Sequence, residues 1–236
     1  MLPTKQGAIP LFSAFGISVF LHWSWFILVV LELQYPRYSS HLWGFIELFT
    51  VFAIVLMHEF GHSLACRSVG GKADTIMLWP LGGVAYVQPP ARPGAVLWSI
   101  IAGPMVNAIL VPITIVGYYA ATQWVSGVSP DVQEWMLWTM RLNLVLLCFN
   151  MLPIYPLDGG QTVQAILWFF IGRAKSLRIT AGLGVATAIA VGIWALLTGH
   201  TWFVVLAVFV GMQAAQGYRV ATMLAQMEAQ GYRVED

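Results

Sequence analysis

Charge is what this chain has least of. Only 9% of its 236 residues are Asp, Glu, Lys or Arg, against roughly 25% in an ordinary soluble domain, which excludes a conventional water-facing surface. The net charge is +1 and the few charges gather in connecting segments, so nothing points to a nucleic-acid partner. Two cysteines, Cys66 and Cys148, exclude a disulfide framework. The opening MLPTKQGAIP lacks a strongly basic stretch, and no small-residue cleavage site precedes Tyr35-Pro36. The apolar segment that follows is therefore expected to stay as a membrane span rather than be removed.

What the chain has in quantity is apolar surface. Hydrophobic residues make up 59% and the mean hydropathy is +0.76, the composition of an integral membrane protein whose solvent is a lipid bilayer. Six runs are long enough to cross, at residues 19–34, 43–66, 95–121, 135–152, 179–197 and 202–215. The expected fold class is thus an all-α membrane protein, a bundle of about six transmembrane helices. Residues 161–171 are too short to span and predict a partial or interfacial helix. With the N-terminus in the cytoplasm, Lys5, Arg67, Lys72, Arg92, Arg173, Lys175, Arg178, Arg219 and Arg233 fall on the cytoplasmic side, and Arg37 faces out. Both termini are then cytoplasmic. The eleven tryptophans suit aromatic belts. His22, His41 and His200 lie near span ends or in short loops, and Glu32 and Glu47 fall toward the outer side, where they are expected to meet water.

Inside the second run stands His58-Glu59-Phe60-Gly61-His62, an H-E-x-x-H pattern. On a helix the two imidazoles at i and i+4 share a face and can bind one zinc ion, while the glutamate serves as base for a water that the ion activates. Ionisable side chains at membrane depth cost roughly 2.5 to 3.5 kcal/mol each on insertion scales. That cost favours a functional site over the plainer alternative, a satisfied polar cluster within a helix bundle. The charge-based orientation puts His58 and His62 in the cytoplasmic half of the membrane.

A catalytic zinc needs a third protein ligand. Cys66 lies eight residues beyond His58, about 12 Å along a helix, too far for both to reach one ion; it suits a small buried residue instead. Asp158 is the better candidate. It sits in Asn150-Met151-Leu152-Pro153-Ile154-Tyr155-Pro156-Leu157-Asp158-Gly159-Gly160, where two prolines and two glycines must break the helix at membrane depth. The competing explanation is a plain turn in which Asp158 caps the next helix. The same orientation brings His58, His62 and Asp158 to a similar depth.

Taken together, His58-Glu59-Phe60-Gly61-His62, the later Asn150–Gly160 pattern and Ala102-Gly103-Pro104-Met105-Val106-Asn107 between them resemble the site-2 proteases, a family of intramembrane zinc metalloproteases. Phe15-Gly16-Ile17 with His22-Trp23-Ser24 is similar to the start of members without an inserted PDZ domain. The resemblance covers nearly the whole chain. It implies that His58, His62 and Asp158 bind one catalytic Zn2+, that Glu59 is the general base, and that Asn150 holds the substrate backbone or the oxyanion. An amide beside a broken helix can equally satisfy freed backbone groups. The resemblance also implies a transmembrane protein as substrate, cut within or near its membrane segment. Residues 1–236 are expected to form one metalloprotease domain, with no PDZ domain inserted and too few residues after the sixth run for a CBS pair.

Residues 70–88 are too polar and punctuated to cross. Thr75-Ile76-Met77-Leu78-Trp79 and Val84-Ala85-Tyr86-Val87 flank Pro80-Leu81-Gly82-Gly83, which predicts a β-hairpin or small sheet. An exposed strand edge can hold an extended substrate by main-chain hydrogen bonds, and Gly82, Gly83, Val84 and Tyr86 are the expected substrate-binding residues. A hairpin that merely packs on the bundle fits as well. Two other functions stay open: a divalent-metal transporter, which should show ligands along a path between the two sides, and an inert binder of membrane helices, against which an intact Glu59 argues.

Overall fold

Residues 17–22, Ile-Ser-Val-Phe-Leu-His, bury every second side chain and form strand β2 (Ile17–His22). In this computed structural model, which describes residues 7–34, 37–80 and 82–230, β2 folds back on β1 (Ala8–Ala14) through a two-residue turn. Phe15 and Gly16 in that turn have φ angles of 53° and 73°, the left-handed geometry a tight hairpin requires. Lys5, Leu81, Arg233 and the Tyr35-Pro36 break lie outside the described residues.

The run at 19–34 is therefore divided. After β2 come a 3-10 turn (Trp23–Trp25) and helix α1 (Phe26–Gln34), the latter about 14 Å long at 1.5 Å per residue and short of a bilayer core. Next are α2 (His41–Ser68), β3 (Lys72–Trp79) and β4 (Gly82–Gln88). The expected hairpin is present but belongs to a larger sheet of order β1-β2-β3-β4, antiparallel except for the parallel β2–β3 pair. One face of that sheet, Ile17, Val19, Leu21, Ile76 and Leu78, is buried and packs with Phe52, Val55, Leu56 and Phe60 of α2.

The remaining helices are α3 (Pro93–Tyr119), which runs into a π-helical turn (Ala120–Trp124), α4 (Pro130–Asn150), α5 (Asp158–Ile171), α6 (Arg173–Thr198) and α7 (Thr201–Ala229). Among the described residues four helices are long and apolar enough to cross a membrane: α2, α3 with its π-helical turn, α6 and α7. This is an integral membrane protein. Of the six expected runs, the first falls short in length; α4, which carries Asp131, Glu134 and Arg141, is not among the four either. The short helix expected at 161–171 is α5. The last run continues well past 215, because Gly217, Ala221 and Leu224 extend the buried face of α7.

The chain forms two compact units, Met1–Gln88 with Ala102–Cys148, and Pro89–Ile101 with Phe149–Asp236. In the first, the sheet covers α2. In the second, α6 and α7 pack through small residues, among them Gly184 and Ala188 on one helix and Ala214 and Gly211 on the other, which let the backbones approach. Glu47 is not simply solvated, as expected from sequence: Arg37 donates to both its oxygens at 2.8 Å and the Tyr38 hydroxyl donates to it as well. Burial and the adjacent carboxylate push the Tyr38 pKa well above the ordinary tyrosine range. Glu32 packs against Gly44 of α2, where a Cβ would collide with its carboxylate.

Candidate metal centre

The C-terminal half of α2 buries one face, on which Ile54, His58 and His62 recur at i+4. His58, Glu59 and His62 are each only 6% exposed. The two imidazoles meet edge-on with their Nε2 atoms 3.0 Å apart, so both nitrogens converge on one point. Glycine makes that convergence possible from two sides. A Cβ on Gly61 would lie 2.7 Å from the Ala102 carbonyl oxygen, so α3 passes closely behind the motif. A Cβ on Gly103 would collide with the His62 ring itself. On the far side of His58, Nδ1 bonds Asn107 Oδ1 at 2.5 Å, and Asn107 Nδ2 donates to Asn143 Oδ1 at 2.7 Å.

Glu59 lies against the free edge of the sheet. The main-chain N–H of Ala85 donates to Glu59 Oε2 at 2.7 Å, and a Cβ on Gly83 would run into the glutamate side chain. Strand alternation then orients the edge: the N–H groups of Gly83, Ala85 and Val87 point outward, and those of Val84 and Tyr86 point toward β3. Of the four expected substrate-binding residues, Gly82, Gly83, Val84 and Tyr86, all lie on β4, yet only Gly83 carries an outward donor by this count. Burial raises the Tyr86 hydroxyl above the usual tyrosine range. A small, mostly apolar cleft lined by residues including Trp25, Val51, Val55, Trp79 and Gly82 opens where β4 begins.

Asp158 is the first residue of α5, and the N-cap position belongs to Leu157. Its carboxylate in the first turn suits the positive end of the helix dipole. Residues 151–157 fold tightly onto that helix start. A Cβ on Gly159 would strike the carbonyl oxygens of Met151 and Leu152, and one on Gly160 would strike the backbone of Ile154 and Tyr155, so the D-G-G sequence is needed for the break to close. Tyr155 is pressed in turn against Gly184 and Gly217, positions where a Cβ would meet its carbonyl and its ring. Asn150 ends α4 and is half-buried. Cys66 is fully buried and its Sγ donates to the Lys72 carbonyl at 3.5 Å, the structural role expected of it.

These residues fit a zinc ion. A bond from His58 Nδ1 to an amide oxygen places the proton on Nδ1 and leaves Nε2 as a donor atom for metal, the arrangement that supports histidine ligands generally. The sequence did not single out a role for Asn107, although it lies in the Ala102–Asn107 motif, and it missed Asn143 altogether. For Asn107 the available signal was a lone amide within an apolar helix.

A model of peptidase family M50 matches residues 46–128 and 121–193. A zinc metalloprotease of Methanocaldococcus jannaschii is 30% identical over 90% of this chain and 61% of its own length. Stage IV sporulation protein FB of Bacillus subtilis is 28% identical over 70% of this chain and 56% of its own. The chain thus spans less than two thirds of these curated relatives. Among solved structures, the site-2 protease from Methanocaldococcus jannaschii superimposes with a TM-score of 0.64 at 28% identity, covering 89% of this chain and 95% of the other.

Proposed function

The chain belongs to peptidase family M50, and from that premise we propose that it is an intramembrane zinc endopeptidase that cuts a transmembrane protein within or near its membrane segment. The observation that carries this proposal is the buried convergence of His58 and His62 beside Glu59 on a helix long and apolar enough to cross a bilayer. Asp158 is the proposed third ligand. Two imidazoles and a carboxylate are the donor set of many catalytic zinc sites, and His58, His62 and Asp158 are the residues proposed to supply it. When bound, zinc makes water nucleophilic near neutral pH and polarises the scissile carbonyl.

The side chains of this chain divide the rest of the work. Glu59 takes the proton from the attacking water and delivers it to the leaving amine, while the Ala85 N–H holds one of its oxygens in place. The outward edge of β4 presents main-chain groups to a substrate that must be extended, since a helix hides its carbonyls in i to i−4 bonds. In this proposal Gly82, Gly83, Val84 and Tyr86 line that groove, and the apolar cleft beside β4 receives a hydrophobic side chain. Asn150 steadies the substrate carbonyl. The active site lies in the cytoplasmic half of the membrane with both termini cytoplasmic, residues 1–236 act as a single metalloprotease domain, and cleavage releases a cytoplasmic fragment as a step of regulated intramembrane proteolysis.

The test is reconstitution of the purified protein in lipid vesicles with a single-span substrate. Bound zinc near one equivalent, cleavage abolished by chelation and cleavage restored by zinc are the expected results. Cleavage that persists after complete metal removal rejects the proposal.

A further inference from the structure

The amide chain behind His58 starts at an atom whose role cannot be reversed. The main-chain carbonyl oxygen of Asn107 only accepts, and the Asn143 side chain meets it at 3.2 Å. Asn143 must therefore present Nδ2 at that point and Oδ1 elsewhere. Its Oδ1 lies 2.7 Å from the Asn107 side chain, which answers with Nδ2 and is thereby obliged to turn Oδ1 toward His58. An amide oxygen accepts only. His58 then carries its proton on Nδ1 and keeps a bare lone pair on Nε2, the nitrogen that faces His62.

We propose that Asn143 is a positioning residue which, from two side chains away, fixes the tautomer of His58 and keeps it ready for metal. The proposal rests on His58 being a zinc ligand. Asn107 alone would not suffice, because an amide can offer either end: turned the other way, its NH2 would donate to Nδ1 and place the imidazole proton on Nε2, where the ion must bind. Asn143 removes that choice by anchoring the sequence of donors and acceptors to the backbone of α3. Both asparagines are fully buried, so neither has bulk water to rotate toward. A carboxylate at position 107 would accept in either orientation without help, but at the cost of a buried charge. Two neutral amides achieve the same selection uncharged.

The experiment reads the tautomer and the metal separately. In metal-free protein labelled with 15N-histidine, the His58 ring nitrogens should report protonation at Nδ1; protonation at Nε2 in the unaltered protein overturns the proposal without any variant. Asn143→Leu, which keeps approximate volume and removes both amide functions, should give mixed tautomers and weaken zinc binding by about 10- to 100-fold in chelator competition. Adding Asn107→Asp to that variant should return the proton to Nδ1 and recover zinc affinity, which a purely packing role for Asn143 would not produce. Zinc affinity in Asn143→Leu within about twofold of the unaltered protein, with the tautomer unchanged, overturns the proposal while leaving the metal site intact. Failure of the unaltered protein to bind zinc would instead overturn the ligand assignment on which the proposal depends.

Discussion

Glu59 is hydrogen-bonded to the main-chain N–H of Ala85, 2.7 Å from Oε2, so the H-E-x-x-H helix and the edge strand are joined at the carboxylate. The bond comes from backbone, and ordinary side-chain substitution at Ala85 leaves it in place. It holds the proposed base at the edge where an extended peptide would lie, which couples proton transfer to substrate alignment.

Glu59→Gln keeps the shape of the side chain and an oxygen to accept from Ala85, but removes the base. Zinc content should be unchanged while cleavage falls by roughly 10²- to 10⁴-fold, the usual worth of general acid–base catalysis. Metal analysis alongside a cleavage assay checks both. Activity near that of the unaltered protein would remove Glu59 from the chemistry, and loss of zinc would make it a ligand.

Gly83→Ala adds one methyl group where the Glu59 side chain already lies. The base or the strand must shift, and misplacement of about 1 Å can cost on the order of 100-fold in rate. Turnover should fall strongly with zinc affinity preserved. A fully active Gly83→Ala protein would mean that β4 and Glu59 move apart without consequence.

At Gly103 the same substitution should act on the metal instead of the base, because its Cβ would collide with the His62 ring. Zinc affinity measured by chelator competition is expected to drop about tenfold or more, as displaced ligand support does elsewhere. Unchanged affinity would show that the imidazole has room to swing aside.

Gly217→Val drives a branched side chain into the Tyr155 ring. Overpacking of this kind costs about 1 to 3 kcal/mol, so thermal unfolding in detergent should occur at a lower temperature. No change in the melting temperature would mean that the 151–157 turn yields freely.

Acid should loosen the tie between residues 37–40 and α4. Ser39 donates to Asp131 through its main-chain N–H at 3.0 Å and through its hydroxyl, and these bonds hold the Asp131 carboxyl below the usual carboxylate range. A depressed folded pKa stabilises above the ordinary carboxylate value and is lost as pH falls through the folded one. The stability difference between the unaltered protein and Asp131→Asn should therefore shrink on going from neutral pH to below the folded pKa. A difference that stays constant with pH would detach Asp131 from this role.

Much of the site was legible because its signals are local. His58, Glu59 and His62 follow from helical spacing, and α5 follows from the prolines and glycines before it. The sheet was only half legible. Thr75–Trp79 and Val84–Val87 announce a hairpin, but Ile17–His22 is apolar enough to pass for the start of a membrane helix, and its pairing with β1 and β3 decides otherwise. Asn143 was invisible for a related reason: its importance lies in which atom of Asn107 it meets, and that depends on how α3 and α4 pack rather than on spacing along one helix.

The parallel pairing of β2 with β3 also has a consequence for biogenesis. Ser18 pairs with Thr75 and Leu21 with Leu78, and between them the chain must pass through α1 and all of α2. Parallel neighbours cannot be closed by a short turn, and contacts so distant in sequence form slowly. The β1–β2 hairpin is synthesised first and keeps an open edge until the helix bearing His58 and His62 has been made and β3 arrives. Completion of the sheet thus waits on that helix, so the edge that meets Glu59 is assembled only once the His58–His62 pair already exists.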